Sequence, residues 1–445
     1  LGRQLQLIEA HEKGEFETVK RTGYTSGISF FKYVFPTVNA STTIYYKLYD
    51  SQTATWTAQK TFATAPPSNT TNFSFCALGD SRSNVTTIWK QVADQVNKKK
   101  AALSVYSGDV TNSGNSASEY DAWFTNGAAY LENNIIYHSL GNHDSPSSAS
   151  FYQNIFELPK ANNTNLYYSA KYGNTIFITL NSEKPGDAAQ LSWLKTTLAD
   201  ADKDPTITWK VISFHKPLFN IGDHAGEMNS YRTSWWKAFD DYGVDLILTG
   251  HDHNYQRSKP INLNVSKTAP VAKYGSGPSD GRCQIICGGA GAGLYPKGDQ
   301  GDAWATNTFN QTYNYVYLEV KGCKMEITAF KNDGSVLETF NLDKTGSPEC
   351  STVDIAENTS EKFNSISVYP NPTIDEFTLK YTSDQTGEAI VKVYDFSGKE
   401  IISERITKAT TDMQFKYNLA GYAKGIYTVS VTVGNQRDNT ILILK

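Results

Sequence analysis

The run Gly250-His251-Asp252-His253-Asn254-Tyr255-Gln256-Arg257 places two imidazoles one residue apart, directly after the apolar segment Val244-Asp245-Leu246-Ile247-Leu248-Thr249. That segment reads as a buried strand, so both rings sit at a strand end, where one loop could reach two neighbouring metal ions. Imidazole is a common ligand for zinc, iron and copper. Four more polar clusters follow apolar runs in the same way. Phe73 to Leu78 ends in Gly79-Asp80-Ser81-Arg82, Ala102 to Ser107 in Gly108-Asp109, Asn134 to Leu140 in Gly141-Asn142-His143-Asp144, and Trp209 to Phe214 in His215-Lys216-Pro217. Asp80, Asp109, Asn142, His215, His251 and His253 form a mixed oxygen and nitrogen donor set suited to zinc, iron or manganese. A carboxylate shared by two ions about 3.5–4 Å apart is typical of hydrolytic centres, where the metals generate hydroxide and clamp phosphoryl oxygens. Singly, each aspartate could cap a helix and the asparagine could shape a turn. Six such residues at equivalent boundaries argue for a site.

The intervening segments supply the frame. Val85, Ile88, Trp89, Val92 and Val96 recur at the spacing of one helix face. Leu191, Trp193, Leu194 and Leu198 predict a second helix, and Ser234 to Tyr242 a third that leads into the Val244 strand. Helices between apolar strands imply a layered α/β sheet. In such sheets ligands bind beyond the carboxyl ends of the strands, which is where all five clusters fall.

The order Gly-Asp, Gly-Asp, Gly-Asn-His-Asp, His and Gly-His-x-His resembles that of the calcineurin-like metallophosphoesterases. Within them, Phe214-His215-Lys216-Pro217-Leu218, then His224, then Gly250 to Arg257, look most like the purple acid phosphatases. The resemblance runs from about Phe73 to Leu342 and is most specific at Gly250–Arg257. It implies a four-layered α-β-β-α sandwich and two divalent or trivalent metal ions, iron, zinc or manganese. Carried onto this sequence, Asp109 would bridge both ions. Asp80 and His253 would belong to one site, and Asn142, His215 and His251 to the other. His143 would help protonate the leaving alkoxide, and His224 would contact the substrate phosphate.

Two positions depart from that pattern. Purple acid phosphatases carry a tyrosine three residues after the second aspartate, whose phenolate binds iron and gives the colour; here it is Asn112. Other metallophosphoesterases carry a histidine two residues after the first aspartate; here it is Arg82. The first site is left with Asp80, Asp109 and His253 as nameable ligands. A guanidinium fits phosphate oxygens in bidentate fashion, so Arg82 is a candidate for binding the substrate phosphate.

With 445 residues the chain has room for roughly two to four domains. A net charge of −4 gives no basic footprint for extended nucleic-acid binding. No apolar run is long enough to span a bilayer. Aromatic residues at 13 % suit β-rich secreted modules. Cys76 is expected to be buried. Cys283 and Cys287 are too far apart to bridge along a regular strand, and Cys323 could pair with Cys350. The run Cys287-Gly288-Gly289-Ala290-Gly291-Ala292-Gly293 does not open a helix, so it reads as a close-packed loop near the metal rim and not as a nucleotide fingerprint.

The chain opens at Leu1-Gly2-Arg3 without methionine or signal peptide, as expected of a processed or truncated form. Residues 1–65 resemble part of a fibronectin type III domain, with strands at Thr42 to Tyr49 and Trp56 to Phe62. Ala65 to Asn72 reads as a linker, residues 72–343 as the catalytic domain and 344–365 as a flexible linker. Over residues 366–445, Ser367-Val368-Tyr369-Pro370-Asn371-Pro372-Thr373, Val393-Tyr394-Asp395-Phe396-Ser397-Gly398-Lys399 and Gly425-Ile426-Tyr427-Thr428-Val429 resemble the sorting domain of the type IX secretion system. This implies export across the outer membrane, to the cell surface or beyond, with the secretion machinery as a partner. The reading favoured by the sequence is a secreted metal-dependent phosphatase acting on small phosphate monoesters. A phosphodiesterase or nucleotidase on the same centre, or a non-catalytic surface binding protein, are the alternatives.

Overall fold

Strict alternation along Asn72–Leu78 sends Phe75 and Ala77 to one face and Cys76 and Leu78 to the other, and all four are buried. A strand covered on both sides needs two layers around it. The computed structural model supplies them. It describes residues 38–50, 54–145, 149–299, 301–347, 350, 365–383, 385–395, 399–434 and 436–445, together with strands at 4–8, 16–19, 21–25 and 28–31. Two units are present, Leu1–Val353 and Asp354–Lys445.

The first unit contains two central sheets. The six-stranded sheet runs in the order Ile135–His138, Leu103–Tyr106, Asn72–Leu78, Asn314–Lys321, Lys324–Lys331, Val336–Asp343, its first three strands parallel. The seven-stranded sheet runs Tyr168–Tyr172, Thr175–Thr179, Trp209–Ser213, Leu246–Thr249, Cys283–Cys287, Tyr255–Ser258, Thr306–Asn310, and is parallel from the second strand to the fifth. Phe75, Leu103 and Leu318 from one sheet share a core with Phe177, Val211 and Leu248 from the other, so the sheets pack face to face. Outside the first sheet, Trp89, Val92 and Trp123 come from helical segments at Val85–Trp89, Lys90–Lys99 and Ala117–Leu131. Outside the second, Leu194, Leu198, Trp236 and Phe239 come from Ala188–Lys203 and the segment ending at Asp241. These are the four expected α-β-β-α layers.

The helix expected from Val85 opens with a wide π-type turn, as does the one expected from Ser234. Helix Ala117–Leu131 was not among the expected helices; its start is set by Ser116, whose side chain accepts from the Glu119 amide at 3.4 Å. Cys76, Cys283 and Cys287 are buried free thiols, and Cys323 and Cys350 form a disulfide. Lys344, the first residue of the expected flexible linker, is instead buried. Its ammonium donates to the Thr208 carbonyl at 2.6 Å and pairs with Asp245 at 3.1 Å, because a charge that leaves water needs partners of this kind. Residues 351–364 of that linker lie outside the described residues.

Near the amino end, Thr43–Asp50 pairs with Gln4–Ile8, Thr55–Trp56 and Lys60–Ala63 in an antiparallel sheet. The second unit is two antiparallel sheets. Ser365–Tyr369, Glu376–Thr382 and Asp412–Asn418 form one, and Glu400–Lys408, Gly387–Tyr394, Gly425–Val433 and Gln436–Leu444 the other, around one apolar core.

His138 closes its strand inside this frame, stacked between Tyr106 at 4.5 Å and Phe156 at 4.2 Å. Burial lowers its imidazole from 6.5 to about 3. The unfolded chain therefore takes up this proton first, and stability falls as the pH drops from 6.5 toward 3. The expected contribution approaches about 1.4 kcal/mol per pH unit. Urea unfolding followed by tryptophan fluorescence should show His138→Phe losing that component relative to wild type.

Candidate metal centre

Each carboxyl end of the parallel strands delivers one cluster to a common crevice. Asp80, Asp109 and His251 all adopt left-handed backbone, with φ of 60°, 59° and 67°. Non-glycine residues rarely hold this conformation, and where it clusters it marks a position the fold imposes. The loops also approach very closely. A Cβ on Gly141 would come within 2.2 Å of Asp109 Oδ1, and one on Gly250 within 2.2 Å of Asp80 Oδ2.

Asp80 and Asp109 are fully buried. The His251 amide donates to both Asp80 oxygens at 3.1 Å, and the His143 amide to Asp109 Oδ1 at 2.9 Å. His215 Nε2 lies 2.9 Å from Asn142 Oδ1, 3.5 Å from Asp109 Oδ1 and 4.0 Å from Asp80 Oδ1. His215 Nδ1 faces the Ser107 carbonyl at 2.7 Å and donates to it, which turns Nε2 toward the carboxylates and Asn142. His253 follows the same rule: Nδ1 donates to the Gly293 carbonyl at 2.6 Å, and Nε2 lies 3.6 Å from Asp80 Oδ1. His251 packs against His215 with ring centroids 5.0 Å apart, and its Nε2 meets Glu227 at 2.7 Å.

These residues fit a metal. Four acceptor atoms from Asn142, Asp109, Asp80 and His215 face one another, and a proton or a cation has to stand between them. Asp109 Oδ2 is buried without a hydrogen bond. Asp80, Asp109 and His253 also offer one ligand atom each within 4.8 Å of one another. The electrostatics report the same demand. Burial lowers the His215 imidazole, but the Asp109 and Asp80 carboxylates overcome it and raise it to about 10. Burial pushes Asp80 well up, whereas Asp109 is held well down because His215 and His143 outweigh its burial.

The remaining predicted residues lie at the edge. His143 Nδ1 faces the Asn112 carbonyl at 2.8 Å. His224 packs tilted against His251 with ring centroids 4.0 Å apart and sits 3.5 Å from Asp252, whose carboxylate raises its imidazole against partial burial. Arg82 is turned onto the donor set, with Nε 3.3 Å from Asp109 Oδ2. The glycine-rich loop is packed at the rim: the Ala292 amide donates to the Asp80 carbonyl at 2.8 Å, and a Cβ on Gly288 would strike the Asp252 carbonyl at 2.3 Å.

Residues 76–255 match the calcineurin-like phosphoesterase family, and residues 367–445 the secretion system C-terminal sorting domain. The first unit carries a calcineurin-like phosphoesterase domain. A curated relative is the probable inactive purple acid phosphatase 1 of Arabidopsis thaliana, 24 % identical over 282 residues, 57 % of this chain and 45 % of that protein. Another is the phosphoenolpyruvate phosphatase of Allium cepa, 27 % identical over 199 residues, 40 % of each chain. This chain thus spans less than half the length of either relative. In fold, a purple acid phosphatase from yellow lupin (Lupinus luteus) seeds superposes with a TM-score of 0.63 at 17 % identity, covering 77 % of this chain and 69 % of that one. Over the first unit the chain thus shares the fold of the purple acid phosphatases. Its sorting domain marks it for type IX export, and no helix among the described residues is long and apolar enough to cross a membrane.

Two supporting residues were not singled out from sequence. Asp144 accepts from the amides of Asp109 at 2.7 Å, Val110 at 3.1 Å and Gly141 at 3.1 Å, tying two ligand loops together. Its place in Gly-Asn-His-Asp was the available signal. Glu227 orients His251, and nothing near it in sequence announces this. Asp144→Ala should lower unfolding free energy by about 3 kcal/mol, measured in urea. It should also weaken zinc binding by about 10–100-fold, measured by calorimetry. With Asn112 where a phenolate would be needed, iron-loaded protein should show no strong visible charge-transfer band.

Proposed function

We propose that this secreted protein hydrolyses small phosphate monoesters, and that Asp109, Asn142, His215 and His251 hold a catalytic metal ion. The observation that carries the reading is the convergence of His215 Nε2, Asn142 Oδ1 and Asp109 Oδ1 beside His143. A metal bound there lowers the pKa of water and offsets charge on the phosphoryl oxygens; iron, zinc and manganese all suit these donors.

The chain's own groups supply the rest. With Nδ1 donating to the Asn112 carbonyl, the His143 imidazolium has Nε2–H left to give to the departing alkoxide as the phosphorus–oxygen bond breaks. Water provides the new bond to phosphorus, so the products are an alcohol and inorganic phosphate. His224, half-buried and biased toward its charged form by Asp252, is placed to attract a doubly charged phosphate group. That favours a monoester over a diester. The phosphoenolpyruvate phosphatase relative agrees with this choice.

A second reading, a surface binding protein, is favoured by relatives named as probable inactive purple acid phosphatases. Kinetics separate the two. Turnover of 4-nitrophenyl phosphate should exceed that of bis(4-nitrophenyl) phosphate, and Asp109→Asn should lower it by at least about 1,000-fold. His143→Ala should cost about 100-fold or more on an alkyl phosphate and far less on the nitrophenyl ester, whose leaving group needs no proton. Metal-loaded wild type without turnover on any of these esters would favour the binder.

A further inference from the structure

We propose that the Arg82 guanidinium takes the place of one of the two metal cations, so that this centre carries a single ion and a fixed arginine. The proposal rests on the metal-binding reading above and specifies its stoichiometry. Arg82 presents its guanidinium to two of the three donors of the first site, Asp109 and His253. Nε lies 3.3 Å from Asp109 Oδ2, and Nη2 lies 3.3 Å from His253 Nε2, which must be an acceptor because Nδ1 serves the Gly293 carbonyl. An ion bonded to that carboxylate and that imidazole at about 2.0–2.2 Å would have to occupy the volume the guanidinium fills. The two cations compete for the same lone pairs.

The arginine is held there from both sides. Ser81, fully buried, accepts from Trp123 Nε1 at 2.8 Å and bonds the Tyr106 hydroxyl, which anchors the loop in the core. Ser83 donates to Asn112 Oδ1 at 2.8 Å, and Arg82 Nη1 donates to the same oxygen at 3.3 Å. The residue at position 112 thus bonds the arginine instead of offering a metal ligand. The guanidinium side chain is 14 % exposed and Asp109 is 1 % exposed, so this pair is sheltered from solvent. A tethered cation at such a site needs no recruitment from solution, and it cannot be removed by a chelator. It offsets carboxylate charge and can still offer N–H groups to a phosphate, but it does not acidify water. The nucleophile must then come from the Asn142, His215 and His251 side.

The test uses the full chain, stripped with a chelator and reloaded by equilibrium dialysis with zinc, and in parallel with manganese. Elemental analysis should give one ion per wild-type chain, and the manganese spectrum should be that of an isolated ion. Arg82→His, which exchanges the cation for a neutral donor, should take up two ions and show the exchange-coupled spectrum of a pair. Two tightly held ions in the wild type would overturn the proposal, whether or not the variant folds. A folded Arg82→His chain that still holds one ion would overturn it as well. Turnover is scored separately. One ion without phosphatase activity keeps this proposal and removes the enzymatic reading; two ions with activity do the reverse.

Discussion

Two carboxylates withdrawn from water at the meeting of five loops set the terms for the rest of the first unit. Asp80 and Asp109 are buried at the ends of adjacent parallel strands, a few ångströms apart, where an uncompensated charge costs several kcal/mol. The left-handed backbone at both residues, the glycines that let the loops touch, and the amides of His143 and His251 serve to hold this negative charge in place. Such an arrangement is stable only with cations among the acceptors. The fold is therefore best understood as a scaffold for positive charge at its carboxyl edge.

Backbone carbonyls decide which way the imidazoles point. Ser107 fixes His215, Gly293 fixes His253 and Asn112 fixes His143, in each case by accepting from Nδ1. The opposite nitrogen of each ring is thereby left for other partners, Asn142 Oδ1 for His215 and the Arg82 guanidinium for His253. Carbonyl partners of this kind usually matter to metal affinity nearly as much as the ligands. Because they come from main-chain atoms of distant loops, side-chain identity leaves no trace of them.

That contrast explains what could be read in advance. The layers and the donor set were legible because each donor follows an apolar strand whose pattern is local: Asp80 after Phe73–Leu78, His251 after Val244–Thr249. Helix Ala117–Leu131 was less legible, although Tyr120, Trp123 and Tyr130 keep helical spacing, because alanines and Gly127 dilute the stripe. The burial of Lys344 was equally hidden, because Asp245 and Thr208 lie far from it in sequence. Arg82 and Asn112 stood out singly as departures from a family pattern. Only the folded chain shows that they are bonded to each other, and that one departure accommodates the other.

The account stands on a cation at the junction of Asp109, Asn142 and His215. Anomalous diffraction from zinc-loaded crystals, collected on both sides of the zinc edge, addresses it directly. The expected result is a zinc peak within bonding distance of Asp109, Asn142 Oδ1 and His215 Nε2. A map with no peak there, at full zinc loading and with the three side chains in place, would contradict it.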